Sequence, residues 1–457
     1  MNAVGAGILV ILISIILFAS RRWAVVGVMA GVIYLTQGQA IDLFGVNLYA
    51  IRVLGLCSFC RVIARKEFEF SKINGIDKLL LFTYGYRTLA FILNSNGSPI
   101  GAISLMLDVT FSYFAFRGLI RGIDDLVDFL RVFSILLGPY VALVSIEMLT
   151  MHNPFSYFGA VPESWVLRGD RLRCMGSFRH PSLFGTLGAS FLPLYIGLVF
   201  TKNNRFNATM GIGFCLGIIF LSNSGGPLSF ALIAVVGWLL WIIRKKMFLV
   251  RRMIAITFVL LVFFMKAPIY YLPAKLSAIT GGDGWHRSYL MEVAFRHFGE
   301  WWFAGMPILR TKDWFPYLVS TGGADITNYY LDFGIEAGFV AMVIFVFFLI
   351  KLFQILGQAL TIVRSNSTEP SESEFLLWGL GVMLAGHLFN WIGITYFDQT
   401  YVIWFMQVAT ISTIAQASTK TSGVPEPIYP SKLGMSRAKK PKSGRETRFR
   451  TIRPIRR

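Results

Sequence analysis

Arg171, Arg173, Arg179 and His180 stand within ten residues of one another, with Arg168 just ahead of them. Arginine stays charged at every physiological pH and meets phosphate oxygens in bidentate pairs. No further charge occurs before Lys202, and an apolar run of that length can cross a bilayer as a helix. The cluster therefore lies at a membrane surface. Basic lipid-head anchors belong to the cytoplasmic face, so an outer cluster of this kind fits a bound ligand better, such as the diphosphate of a lipid carrier. A second set of residues lies further on. Asp325, Asn328, Asp332 and Glu336 fall at i, i+3, i+7 and i+11, which is one polar stripe if the segment is helical. A carboxylate there could accept the proton of an acceptor hydroxyl. Asp325, nearest the water, is the first choice, with His286 and His297 as alternatives. The competing role for the stripe is an ion-paired face against the arginine loop. Arg287, Arg296 and Arg310 could reach the same diphosphate, or make ordinary loop contacts. Trp285, Trp301, Trp302 and Trp314 suit either a membrane interface or the apolar face of a sugar.

Positioning these residues falls to apolar helices. Hydrophobic residues make up 55% of the chain, charged residues only 15%, and the mean hydropathy is +0.61. Soluble chains average about 25% charged residues. The apolar residues fall in blocks, which predicts an all-α polytopic membrane protein of about 13 spans. The spans occupy 1–415, with outer loops at 150–181 and 266–325. The seventh span is expected at Ser182–Phe200 and the eleventh near Ile326–Leu356. The N-terminus is then outside and the C-terminus cytoplasmic, which leaves most basic residues near span ends on the cytosolic side.

The net charge of +19 invites a nucleic-acid reading, but its distribution argues against one. Residues 416–457 hold twelve Lys/Arg and two Asp/Glu, so ten of those charges lie in one tail. That tail lacks apolar periodicity and reads as a disordered cytoplasmic segment facing anionic lipid heads. Cys57 and Cys60 have CxxC spacing inside an apolar segment with no second pair, so helix packing is the better reading than zinc or redox chemistry. No other His, Cys or carboxylate cluster has metal-ligand spacing, and no cofactor is expected.

Arg87 and Asp108 lie inside apolar helices expected near Ile76–Leu93 and Ile100–Phe116. They are ten residues before and eleven after Gly97, at the centre of the intervening turn. At about 1.5 Å per residue they would fall at one depth and could pair, either fixing the hairpin or lining a cavity.

Several stretches together resemble the O-antigen ligase and polysaccharide polymerase superfamily. Arg173-x-x-Gly176-x-Phe178-x-x-Pro181 runs into an apolar segment containing Leu192–Pro193–Leu194. Ser222–Pro227, SNSGGP, is similar to the family's serine-containing turn that opens a helix. Arg287–Gly305 and Asp325–Gly338 resemble two further motifs, in the family's order. The resemblance covers Arg171 to about Lys351. It implies a GT-C-like glycosyltransferase at the outer face of the bacterial inner membrane, moving glycan from undecaprenyl diphosphate to an acceptor sugar. It also implies that no metal is needed if arginines neutralise the leaving group. Substrate-binding residues would be Arg171, Arg173, Arg179, His180, Arg287, Ser224 and Asp332, and catalytic ones Asp325, Asn328 and His286. Two departures stand out. Gly225 follows Ser224 where many ligases have arginine, and Thr327 precedes Asn328 where they have histidine. A polymerase-like or divergent member is therefore expected over a strict ligase. Further partners would be the acceptor glycan or lipid, membrane lipids and polysaccharide assembly proteins. A transporter or flippase of lipid-linked glycans, suggested by Arg87, Asp108, Arg131 and Glu147, and a non-catalytic assembly scaffold are the alternatives. No internal repeat supports the transporter.

Overall fold

The computed structural model describes residues 1–43, 46–94, 99–164, 166–168, 171–280, 284–315, 323–366 and 369–421. Helices dominate them. α1 (Ala3–Phe18) and α2 (Arg21–Tyr34) are followed by the hairpin of β1 (Ala40–Leu43) and β2 (Val46–Tyr49). Then come α3 (Ala50–Ala64), α4 (Gly75–Leu93), α5 (Pro99–Leu119) and α6 (Ile123–Thr150). A second hairpin, β3 (Val166–Arg168) and β4 (Arg171–Arg173), precedes α7 (Pro181–Leu198), α8 (Arg205–Ser222) and α9 (Gly225–Leu239). α10 (Met247–Phe264) leads to α11 (Leu272–Thr280), α12 (Gly284–Arg296) and α13 (Phe298–Trp301). The chain ends its described part with α14 (Tyr329–Ser365), α15 (Glu372–Asn390) and α16 (Thr400–Thr421).

Among the described residues, six helical runs are long and apolar enough to cross a membrane: Pro99–Leu119, Ile123–Thr150, Pro181–Leu198, Arg205–Ser222, Gly225–Phe264 and Tyr329–Ser365. The chain is thus an all-α membrane protein. Two expected loops are more structured than their composition signals. Residues 150–181 contain the β3–β4 hairpin, and residues 266–325 contain α11, α12 and α13. The eleventh apolar segment begins at Tyr329 rather than Ile326, because the Asn328 side chain caps it, accepting from Tyr330 N and Leu331 N.

α7 is the innermost helix, with α8, α9 and α15 packed around it. Small residues permit this. Gly185 faces Ser222 and Pro227, and Gly188 lies against Cys215 and Ile218. Without a hydrophobic force between helices in lipid, such close backbone approach is what holds them together. Pro193 removes an amide from the α7 ladder, and the Trp238 indole donates to the Pro193 carbonyl at 3.2 Å.

One end of the bundle is basic and knitted by ion pairs. Arg21 meets Asp125, Arg61 meets Glu67, and Arg117 meets Asp77, each at 2.9 Å. At the other end α14 is broken. Gly338 has φ 90° and ψ 163° inside it. The chain after α13 docks on the break, where Phe339 N donates to Trp302 O at 2.7 Å and Met306 N to Ile335 O at 2.8 Å. Asn94 adds bonds to the Ala304 and Glu336 carbonyls. Backbone groups freed within a membrane helix must find such partners.

Candidate functional site

At the end of the bundle opposite the basic one, two cavities lined by charged or polar side chains stand out among the described residues. The first, of about 410 Å³, lies where α3, α5, α14 and α16 begin and α4 ends. Three arginines reach it from three elements, and each meets a carboxylate. On α3, Arg52 forks onto Asp108 of α5, with Nε and Nη2 each 2.7 Å from an oxygen. On α4, Arg87 donates from Nε to Glu336 and from Nη2 to Asp332, both at 2.5 Å. Its guanidinium lies 4.3 Å from the Phe333 ring centre. Ahead of α7, Arg179 donates to Asp398, which precedes α16, through Nε at 2.5 Å and through its backbone amide at 3.3 Å. That bond raises the Arg179 pKa above its ordinary value.

The expected Arg87–Asp108 pair is not formed. Both residues line this cavity, but α4 packs on α14 and α5 packs on α3, so each charge turns to its own neighbour. The turn around Asn96–Gly97–Ser98 lies outside the described residues. The polar stripe is also shorter than expected. Asp325 and Asn328 precede the helix, which leaves Asp332 and Glu336, one turn apart and both held by Arg87.

The second cavity, of about 790 Å³, lies between α9, α11, α12, α14 and α15. Its body is apolar, with Leu232, Ile233, Leu272, Met342 and Phe389 among the walls. Its polar groups include Arg287, Asn328, Asn390 and the Gly226 backbone at the start of α9. A thin wall separates the two cavities. The first turn of α14 gives Tyr329 and Asp332 to the first cavity, and Asn328 and Leu331 to the second. Asn390, in the second, donates from Nδ2 to the Tyr396 hydroxyl, in the first, at 3.2 Å. The Tyr396 hydroxyl also lies 2.5 Å from Nδ1 of the buried His387.

Arg173 stands behind the second cavity. It is buried, and Nη2 donates to the hydroxyls of Ser182 at 3.4 Å and Ser224 at 3.2 Å. The two hydroxyls are themselves 2.6 Å apart. Ser224 precedes α9 and Ser182 opens α7, so the guanidinium binds two helix starts together. The motif around it has a physical reason. Glu147 accepts from Met175 N and Gly176 N, each at 2.9 Å, and Gly176 has φ +53°. A Cβ at Gly176 would lie 2.7 Å from the Tyr140 hydroxyl. Glu147, a candidate transport charge by sequence, therefore anchors this turn. Phe178 is fully buried beside it. The turn sends Arg173 towards α9 and Arg179 towards the first cavity.

The remaining expected residues are scattered. Arg171 is exposed on β4 and lines neither cavity. His180 caps α7, accepting from Ser182 N through Nδ1 at 3.1 Å. Asp325 is exposed and His286 half-buried, and neither lines a cavity. Arg296 pairs with Glu292 on its own helix, and Arg310 is exposed. Among the tryptophans, Trp301 and Trp314 are buried in the lobe formed by α12, α13 and the start of α14, whereas Trp285 and Trp302 remain exposed.

Arg52, Asp398, Asn390, Tyr396 and His387 escaped the sequence reading. Arg52 carried a signal, being a charge just inside an apolar segment. Asp398 is the acidic residue of the short stretch between α15 and α16. Nothing in the sequence marks the two as cavity partners of Asp108 and Arg179. No protein-family model and no curated protein matches the chain.

Proposed function

We propose that the chain is a GT-C-like glycan polymerase or ligase of the bacterial inner membrane, with thirteen spans. It would transfer glycan from undecaprenyl diphosphate to an acceptor sugar during O-antigen or exopolysaccharide assembly. The observation that carries this reading is the second cavity. An isoprenoid chain needs an apolar trough, and its diphosphate needs guanidinium and N–H donors at the head of that trough. The cavity offers both, with Arg287, Asn328 and Asn390 beside an apolar body. The start of α9 adds amide groups that the Ser224 side chain does not cap, and an uncapped helix start favours an anion. Arginine charge facing the leaving diphosphate stabilises the transition state without a metal or other cofactor. The basic opposite end of the bundle supports an outer position for both cavities, an outside N-terminus and a cytoplasmic C-terminus.

The test is polymer synthesis from a lipid-linked donor in membranes carrying Arg287→Ala or Arg173→Ala. A loss of at least about tenfold is expected, the effect of one lost charge-assisted contact. Undiminished synthesis at normal protein levels would reject the reading.

A transporter of lipid-linked glycans is the second reading. The break in α14 at Gly338, next to the Arg87 ion pairs, favours it, because interrupted helices often line transport sites. Substrate crossing proteoliposome membranes without bond formation would select it.

A further inference from the structure

We infer that the first cavity is a binding site for an uncharged saccharide, and that it excludes anionic ones. The argument starts from charge. Arg52, Arg87 and Arg179 face Asp108, Asp332, Glu336 and Asp398, so among the described residues the lining holds three guanidiniums and four carboxyl groups. Each arginine is engaged by a carboxylate at 2.5 to 2.7 Å. A phosphate or a uronic-acid carboxylate entering here would meet carboxylates that already hold the guanidinium donors. Like charges at that spacing in a low-dielectric site repel strongly.

A neutral polyol has no such difficulty. Its hydroxyls both donate and accept, and an arginine–carboxylate pair presents N–H donors beside free carboxylate lone pairs. Aromatic surface for the C–H face of a sugar is also present. Tyr49, Tyr84, Tyr329, Tyr396 and Tyr401 line the cavity, and the Arg52 guanidinium covers the Tyr49 ring at 5.7 Å. A volume of about 410 Å³ is within the range of small-ligand pockets. Entry is at the Arg179 end, where that side chain is 49% exposed while Asp398 beneath it is fully covered. The shared wall at Asn390 and Tyr396 sets this sugar next to the apolar cavity. Calling it the acceptor rests on the transferase reading, whereas its neutrality does not.

The experiment is saturation-transfer NMR on the full-length protein in detergent. The probes are a panel of neutral oligosaccharides, the same panel oxidised to uronic acids, and inorganic pyrophosphate. Two variants accompany the wild type. Tyr49→Ala removes an aromatic wall, and Thr88→Trp fills the cavity from a position that takes part in none of its ion pairs. At least one neutral oligosaccharide is expected to bind at millimolar concentration, and both variants should weaken it about tenfold or more, as expected for loss of one aromatic contact. Its oxidised counterpart and pyrophosphate should leave that signal unchanged. Tighter binding of either anion at this site, binding of no neutral sugar, or binding unaffected by both variants would overturn the inference. Polymer synthesis separates the two readings. Neutral-sugar binding without synthesis leaves the cavity inference standing and removes the transferase. Synthesis with saccharide binding that ignores both variants does the reverse.

Discussion

Arg87→Met is the sharpest test of how the charged cavity is built. Arg87 bridges Asp332 and Glu336, the three side chains having exposures of 19%, 11% and 9%. The two carboxylates lie one turn apart on α14, so without the guanidinium they repel each other as well as losing their hydrogen-bond donor. Removing one member of a buried ion pair costs about 3–5 kcal/mol, because the partner charge stays buried. At roughly 2 °C of Tm per kcal/mol for a chain of this size, the apparent melting temperature in detergent should fall by about 6–10 °C. The control is the triple variant Arg87→Met, Asp332→Asn, Glu336→Gln. It removes all three charges, and neutral replacement of a whole buried network is often close to harmless. Differential scanning fluorimetry should therefore show the triple variant recovering at least half of the loss. A single variant melting within about 1 °C of wild type would refute the claim that these charges are mutually dependent. So would a triple variant no better than the single one.

Three further outcomes follow from individual backbones and side chains. Gly338→Ala puts a Cβ on a residue with φ +90° and against the Phe303 carbonyl. Strain alone costs about 1–3 kcal/mol, and hydrogen exchange should show Trp302–Met306 losing protection, whereas unchanged protection would mean the break does not depend on glycine. Gly176→Ala should destabilise by more than about 1 kcal/mol, from the left-handed φ and the Tyr140 hydroxyl in its path; a matching variant at Gly7, whose Cβ would meet nothing within 4 Å, should not. Glu300 has its pKa lowered by the His297 hydrogen bond. A lowered folded pKa gives stability that is present above the ordinary glutamate value and is lost as pH falls through the lowered one. Limited proteolysis of the α12–α13 lobe should therefore accelerate under acid conditions in the wild type, and a Glu300→Gln protein should lose that dependence.

Fold class was legible because lipid forces a simple rule: long apolar runs are helices. The start of α7 was legible to within a residue, Pro181 against the expected Ser182, whereas the Asn328 cap that moves the start of α14 from Ile326 to Tyr329 was not. Nor was the break in α14. Gly338 closes the Asp325–Gly338 motif, but nothing in that motif marks a helix break, and its conformation depends on Trp302 and Phe303 arriving from another segment. The same holds for the ion pairs. Arg87 was recognisable as a costly intramembrane charge, but its partner could not be read from helix depth. Depth gives the level of a charge along the membrane normal, and the neighbour it faces is decided by the order of helices around the bundle. Asp108 and Asp332 both lie near that level, and packing of α4 on α14 selects the second.

The arginines that looked like one diphosphate cluster in sequence divide in space, and the division carries the functional argument. The turn fixed by Glu147 and Gly176 separates Arg173 from Arg179 by only six positions, yet directs them to different neighbours. Arg179 goes to a cavity where carboxylates outnumber cations. Arg173 goes to the hydroxyls at the start of α9, whose next turn lines the apolar cavity beside Arg287. On the proposed reading, anionic headgroup and neutral sugar would have separate stations on the two sides of one wall. That arrangement would serve the proposed transfer, because the leaving diphosphate could be neutralised without drawing the acceptor site's carboxylates onto the same arginines. Exchanging the character of the two sides tests this directly. Asp398→Asn with Asp108→Asn turns the excess of one carboxylate in the first cavity into an excess of one arginine. If separation of charge is what matters, pyrophosphate should then bind there and inhibit polymer synthesis. Synthesis insensitive to pyrophosphate in that double variant would show that the two cavities do not divide the chemistry in this way.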